Sequence, residues 1–93
     1  MQLILYSKPG CHLCEGLQEK LEQIQNLSFE LEVRDITTRE DWFSAYEYEV
    51  PVLYLSNYRG VEDEEGSEKP LPRPSPRASV QQLEQMLRKY LAN

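Results

Sequence analysis

Few folds accommodate the way this chain begins: an apolar run, Leu3-Ile4-Leu5-Tyr6, then Pro9-Gly10, then Leu13, Leu17, Leu21 and Ile24. The run has the length and character of a buried strand, and Pro-Gly breaks it. The apolar spacing that follows is helical. Cys11 and Cys14 therefore fall on the first turn of a helix that leaves a strand, with Cys-x-x-Cys at the corner.

That position carries chemistry. The first N–H groups of a helix lack intrahelical partners, and with the aligned peptide dipoles they place partial positive charge near Cys11. Lys8, across the Pro-Gly turn, can add to the same field. Such surroundings lower a cysteine pKa from about 8.5 to roughly 3.5–7.5, which makes Cys11 the expected nucleophile. Cys14 is three residues on, about 5–6 Å away at Cβ, within reach of a disulfide, and is the expected resolving thiol. Other readings stay open. A structural disulfide closing so short a loop stabilises by only about 2 kcal/mol. A closed zinc site wants four ligands, and with His12 the chain supplies two cysteines and one histidine. A redox pair is the first expectation, a shared intermolecular metal site or inert cysteines the alternatives.

The 93 residues suit one domain with a modest core, and 40% hydrophobic with 28% charged residues suits a soluble one. Met1-Gln2 carries no basic leader, no run is long enough to span a membrane, and the expected location is the cytoplasm. A net charge of −6 argues against nucleic acid. The acid is concentrated in Glu62, Asp63, Glu64, Glu65 and Glu68, whereas Lys8, Arg39, Arg59, Arg73 and Arg77 lie on stretches able to border the site.

In order, residues 1–6 are expected as strand one and 12–25 as helix one, with its leucines inward and Asn26 closing it. Residues 28–34 alternate with a period of two, so strand two turns Phe29, Leu31 and Val33 to the core and Glu30, Glu32 and Arg34 to solvent. Thr38 caps a second helix, with Asp41 in the capping-box position, and the helix packs Trp42, Phe43 and Tyr46 as core. Val52 to Leu55 make a central strand behind Pro51. An exposed acidic loop follows over 57–69 and a Pro-rich connector over 70–77, of which 69–72 can pair as a short antiparallel edge strand. Ser79 and Gln82 box the start of the last helix, whose stripe is Val80, Leu83, Met86, Leu87, Tyr90 and Leu91. The order is β-α-β-α-β-β-α: an α/β domain over residues 1–93 with a four-stranded mixed sheet and three helices.

These residues resemble the glutaredoxin-like branch of the thioredoxin superfamily, especially its short bacterial and plastid members. The stretch from Tyr6 to Cys14 is similar to the glutaredoxin active site, and Val50-Pro51 falls where that fold has a cis-proline. The resemblance implies a thioredoxin-like fold, a cis Pro51 beside the disulfide, a Val50 backbone that pairs with an extended substrate such as glutathione, and Lys8 on a glutathione carboxylate. His12-Leu13 replaces the common Pro-Tyr, and His12 is a candidate for tuning Cys11. Glu49 replaces the usual threonine. Leu71-Pro72-Arg73-Pro74-Ser75-Pro76 replaces the Gly-Gly turn and acidic residue that hold the γ-glutamyl end, with Arg77 and Ser79 as candidate substitutes.

The expected function is thiol-disulfide exchange by a monomer, with Cys11 and Cys14 catalytic, Lys8, Val50 and Pro51 binding substrate, and no metal or tightly bound cofactor. Its substrates are protein disulfides or glutathione mixed disulfides, and a reductase or a thiol such as glutathione donates electrons. The departures lean towards protein disulfides. A binding adaptor with idle thiols and an iron–sulfur cluster carrier are the rival expectations.

Overall fold

Burial of one strand on both faces sets the architecture. In the computed structural model, which describes residues 2–56 and 68–91, β1 (Gln2–Ser7) has Leu3, Ile4, Leu5 and Tyr6 all 4% exposed or less. The sheet runs β2-β1-β3-β4, so β1 and β3 (Val52–Ser56) are interior, and β2 (Glu30–Asp35) and β4 (Glu68–Pro70) are edges. β2 is parallel to β1, pairing Leu3 with Leu31 and Tyr6 with Arg34, while β3 is antiparallel, pairing Leu5 with Leu53. β4 is antiparallel to β3 and the pairing continues past Pro70, where Leu71 N–H donates to the Leu53 carbonyl at 2.9 Å. Prolines are tolerated there because an edge strand can forgo a ladder donor.

Alternation along the interior strands makes two cores. Leu3, Leu5, Leu53 and Leu55 meet Leu21 and Ile24 from α1 (His12–Glu22) and its exit, and Leu83 and Leu87 from α3 (Val80–Leu91). On the other face Ile4 and Tyr6 meet Ile36 and the aromatics Trp42, Phe43 and Tyr46 carried by α2 (Glu40–Tyr46). Tyr6 stacks on Tyr46 at 4.5 Å and meets Trp42 edge-on at 5.6 Å. The element order, the mixed sheet and the three helices are as expected. So is the capping box: Gln82 N–H donates to Ser79 Oγ and Ser79 N–H to Gln82 Oε1.

Several local expectations are corrected. α1 stops at Glu22, where the N–H groups of Gln23 and Ile24 turn back three residues to Lys20 and Leu21. Val33 is 40% exposed, because the helices on its face pack over the inner strands and leave the corner of the edge strand bare. Arg34 is not solvated: α2 covers that face, and the guanidinium donates to Tyr6 Oη at 2.8 Å and lies 5.3 Å from the Trp42 ring. Thr38 does not cap α2. Asp35 takes the Thr37 N–H and gathers residues 36–38 into a 3₁₀ turn (η1), so the cap falls on Arg39, without a side-chain bond. Asp41 pairs with Arg39 instead. Tyr90 is 40% exposed rather than part of the packed stripe. The acidic-loop positions 57–67 and Arg59 lie outside the described residues; Glu68 and Lys69 are in β4.

Two measurements check this packing. Leu53→Ala removes a buried side chain between the helix layer and β1 and should lower the unfolding free energy by about 2–5 kcal/mol in urea. Burial, with the Tyr54 hydroxyl as partner, raises the Tyr46 pKa, and burial raises that of Tyr6 despite Arg34. A raised folded-state pKa means that the folded protein resists ionisation. This contribution is complete below about pH 10, where unfolded tyrosine ionises, and is lost as pH rises above it. Stability should therefore fall between about pH 10 and 11, and less steeply in Tyr46→Phe than in the parent.

Candidate active site

The site is built by the turn between β1 and α1. Cys11 N–H donates to the Lys8 carbonyl at 3.2 Å, with Pro9 and Gly10 between them and Gly10 at φ +81. This is the pattern of a type II turn, which needs a left-handed residue at its third position and so calls for glycine there. Cys11 is then the N-cap of α1: its backbone is extended, its carbonyl accepts from Glu15 N–H, and its Sγ accepts from Cys14 N–H at 3.2 Å. A sulfur occupies the place usually held by a serine or aspartate oxygen.

Cys11 and Cys14 form a disulfide, with Cα atoms 5.2 Å apart. The two ends differ in access. Cys11 is half-buried, while Cys14, one turn into the helix, is 2% exposed. The Val50–Pro51 bond is cis and Pro51 is buried.

The other expected site residues are engaged within the protein. Lys8 Nζ donates to the Glu47 carbonyl at 3.2 Å, at the C-terminal end of α2, which a cation favours. Val50 N–H donates to the Tyr46 carbonyl at 3.1 Å, so pairing with an extended chain at this residue would run through its carbonyl. The His12 side chain is 94% exposed with Nδ1 3.8 Å from a Glu15 carboxylate oxygen, and water screens its influence on the sulfurs. Ser79 is committed to its capping box, and exposed Arg77 gives its N–H to Ser75 Oγ. Arg39 is on the α2 side, over Trp42.

A family description, Glutaredoxin-like domain (DUF836), matches residues 2–88. The chain belongs to this glutaredoxin-like family. Its mixed sheet and three helices form a thioredoxin-like fold. Neither the curated proteins nor the solved structures yielded a match.

In this glutaredoxin-like chain a groove of about 300 Å³ runs beside the sulfur pair. It is lined by the side of α1 from His12 to Lys20, by Pro51, and by a wall at 73–76; neither cysteine lines it, but the two residues between them do. Lys20 Nζ donates to the carbonyls of Pro76 and Ala78, and Arg73 to the carbonyl of Glu49, tying the wall to α1 and to the loop before Pro51. Periodicity puts Leu13 in the core, yet it is 54% exposed and lines the groove. The wall was read only as a connector. Four prolines in the seven residues from Pro70 to Pro76 signal stiffness but not what they face. Among the described residues no three His, Cys, Asp or Glu side chains are grouped to hold a metal ion, and no helix is long and apolar enough to cross a membrane.

The difference in access predicts an order of modification. With the disulfide reduced, limiting iodoacetamide should label Cys11 at least about tenfold faster than Cys14, as read by peptide mass mapping.

Proposed function

We infer that the chain is a thiol-disulfide oxidoreductase in which Cys11 attacks and Cys14 resolves. The observation that carries this reading is the asymmetry of the pair: a reachable sulfur at a helix N-terminus joined to a buried one a turn inside. With the pair reduced, the Cys14 N–H that bonds Sγ and the end of the helix dipole favour a thiolate on Cys11.

The Cys11 thiolate attacks one sulfur of a substrate disulfide and expels the other as a thiolate. Cys14 loses its proton to that thiolate or to water and attacks the Cys11 sulfur, releasing the second substrate thiolate and closing the Cys11–Cys14 bond. Two electrons pass to the substrate. Two thiols from a donor such as glutathione, or a reductase, restore the dithiol. No tightly bound cofactor is needed. Pro51 and the Val50 carbonyl border the incoming chain, and Lys8 acts by holding the α2 end of their loop.

Mixing reduced protein with a peptide disulfide tests the scheme. Cys11→Ser should abolish exchange. Cys14→Ser should accumulate a mixed disulfide on Cys11, seen as an added peptide mass that dithiothreitol removes. Exchange that survives in Cys11→Ser would reject the assignment.

A further inference from the structure

Gly16 is unexplained by the fold. It lies inside α1, its φ is not positive, and a Cβ built on it would meet nothing within 4 Å. Neither backbone conformation nor close packing calls for glycine, although alanine in its place would favour the helix by about 0.5–1 kcal/mol. What the missing side chain does is leave space. Gly16 lines the groove together with Leu13, Leu17 and the wall at 73–76. The groove lies beside the redox pair, because His12 and Leu13, the two residues between the cysteines, line it.

The groove's polar groups are a poor match for glutathione, whose two carboxylates and ammonium need donors and an acceptor. Lys20 Nζ and one Arg73 N–H point at main-chain carbonyls, the Val50 N–H is used by Tyr46, and at the start of α3 the Gln82 N–H is capped by Ser79. His12, Ser75 and the two clamped cations are the groove's polar members, and most of the rest of its lining is apolar: Leu13, Leu17, Pro51 and Pro74, with a bare glycine among them. A volume of about 300 Å³ suits a leucine-sized side chain and the main chain that carries it.

We propose that this groove takes an apolar side chain from an extended segment of another protein, next to the cysteine that Cys11 attacks, and so selects protein disulfides of that kind over glutathione mixed disulfides. The proposal rests on the oxidoreductase reading and names its substrate class. The apolar residue lies over Gly16 while the neighbouring sulfur is exchanged.

The test uses the reduced full chain and three mixed disulfides with thionitrobenzoate: two short peptides that differ only in leucine or glycine beside the cysteine, and glutathione. Attack on the peptide or glutathione sulfur releases coloured thionitrobenzoate. The leucine peptide should react about tenfold faster than the other two, the low end of what an apolar subsite discriminates. Gly16→Leu fills the groove and Leu13→Ser removes part of its lining; neither residue is packed in the core, and urea melts check that both variants fold. In both, the preference should shrink to within about twofold, as expected once the apolar contact is lost. Equal rates in the parent, glutathione reacting fastest, or a preference that persists in both variants would overturn the proposal while leaving the oxidoreductase reading in place. No release above that of Cys11→Ser from any of the three would overturn both.

Discussion

The strand β1 has to be covered on both faces, and most of the molecule follows from that requirement. Leu3 and Leu5 need one apolar layer and Ile4 and Tyr6 another, each side chain worth about 1.5–3 kcal/mol when buried. Four such residues in one strand weigh heavily against a net stability of about 5–15 kcal/mol. α1 and α3 supply the first layer and α2 the second. Because α1 must pack back along the strand it has just left, the chain reverses within the Lys8 to Cys11 turn, and the helix start that results is where Cys11 sits.

The chemistry near that corner divides into two kinds of group. The sulfur pair is closed on itself as a disulfide, and the Cys14 amide faces Cys11 Sγ. The charged residues around it serve the backbone. Lys8, Lys20 and Arg73 each donate to carbonyls of segments that border the site, so their first duty is to place loops. A surface whose cations are occupied in this way offers shape and apolar contact beside its charge.

Much of this was legible in the residues. The strand, the Pro-Gly break and the cysteine positions follow from local pattern, and the Ser79–Gln82 box is a local signal realised in full. The cis state of Pro51 was implied only by family resemblance, since an X-Pro bond is cis about one time in twenty. Periodicity tells which way a side chain points relative to its neighbours, not whether anything covers it. Leu13 and Val33 keep the spacing of their elements yet stay exposed, and the alternation of β2 marks Arg34 as solvated because nothing in that strand reveals the aromatics of α2. The wall was least legible. Its placement depends on Lys20 and Arg73 reaching residues 56, 58 and 24 positions away, a pairing with no local signature.

Those clamps have a further consequence. They grip carbonyl oxygens, which every amino acid carries, and not the side chains of the residues they hold. Where the wall stands is thereby uncoupled from what it displays. The side chain at 74 can change without loosening the clamps, whereas Ser75 Oγ also accepts the Arg77 N–H, so position 74 is where the display can vary while the wall keeps its place.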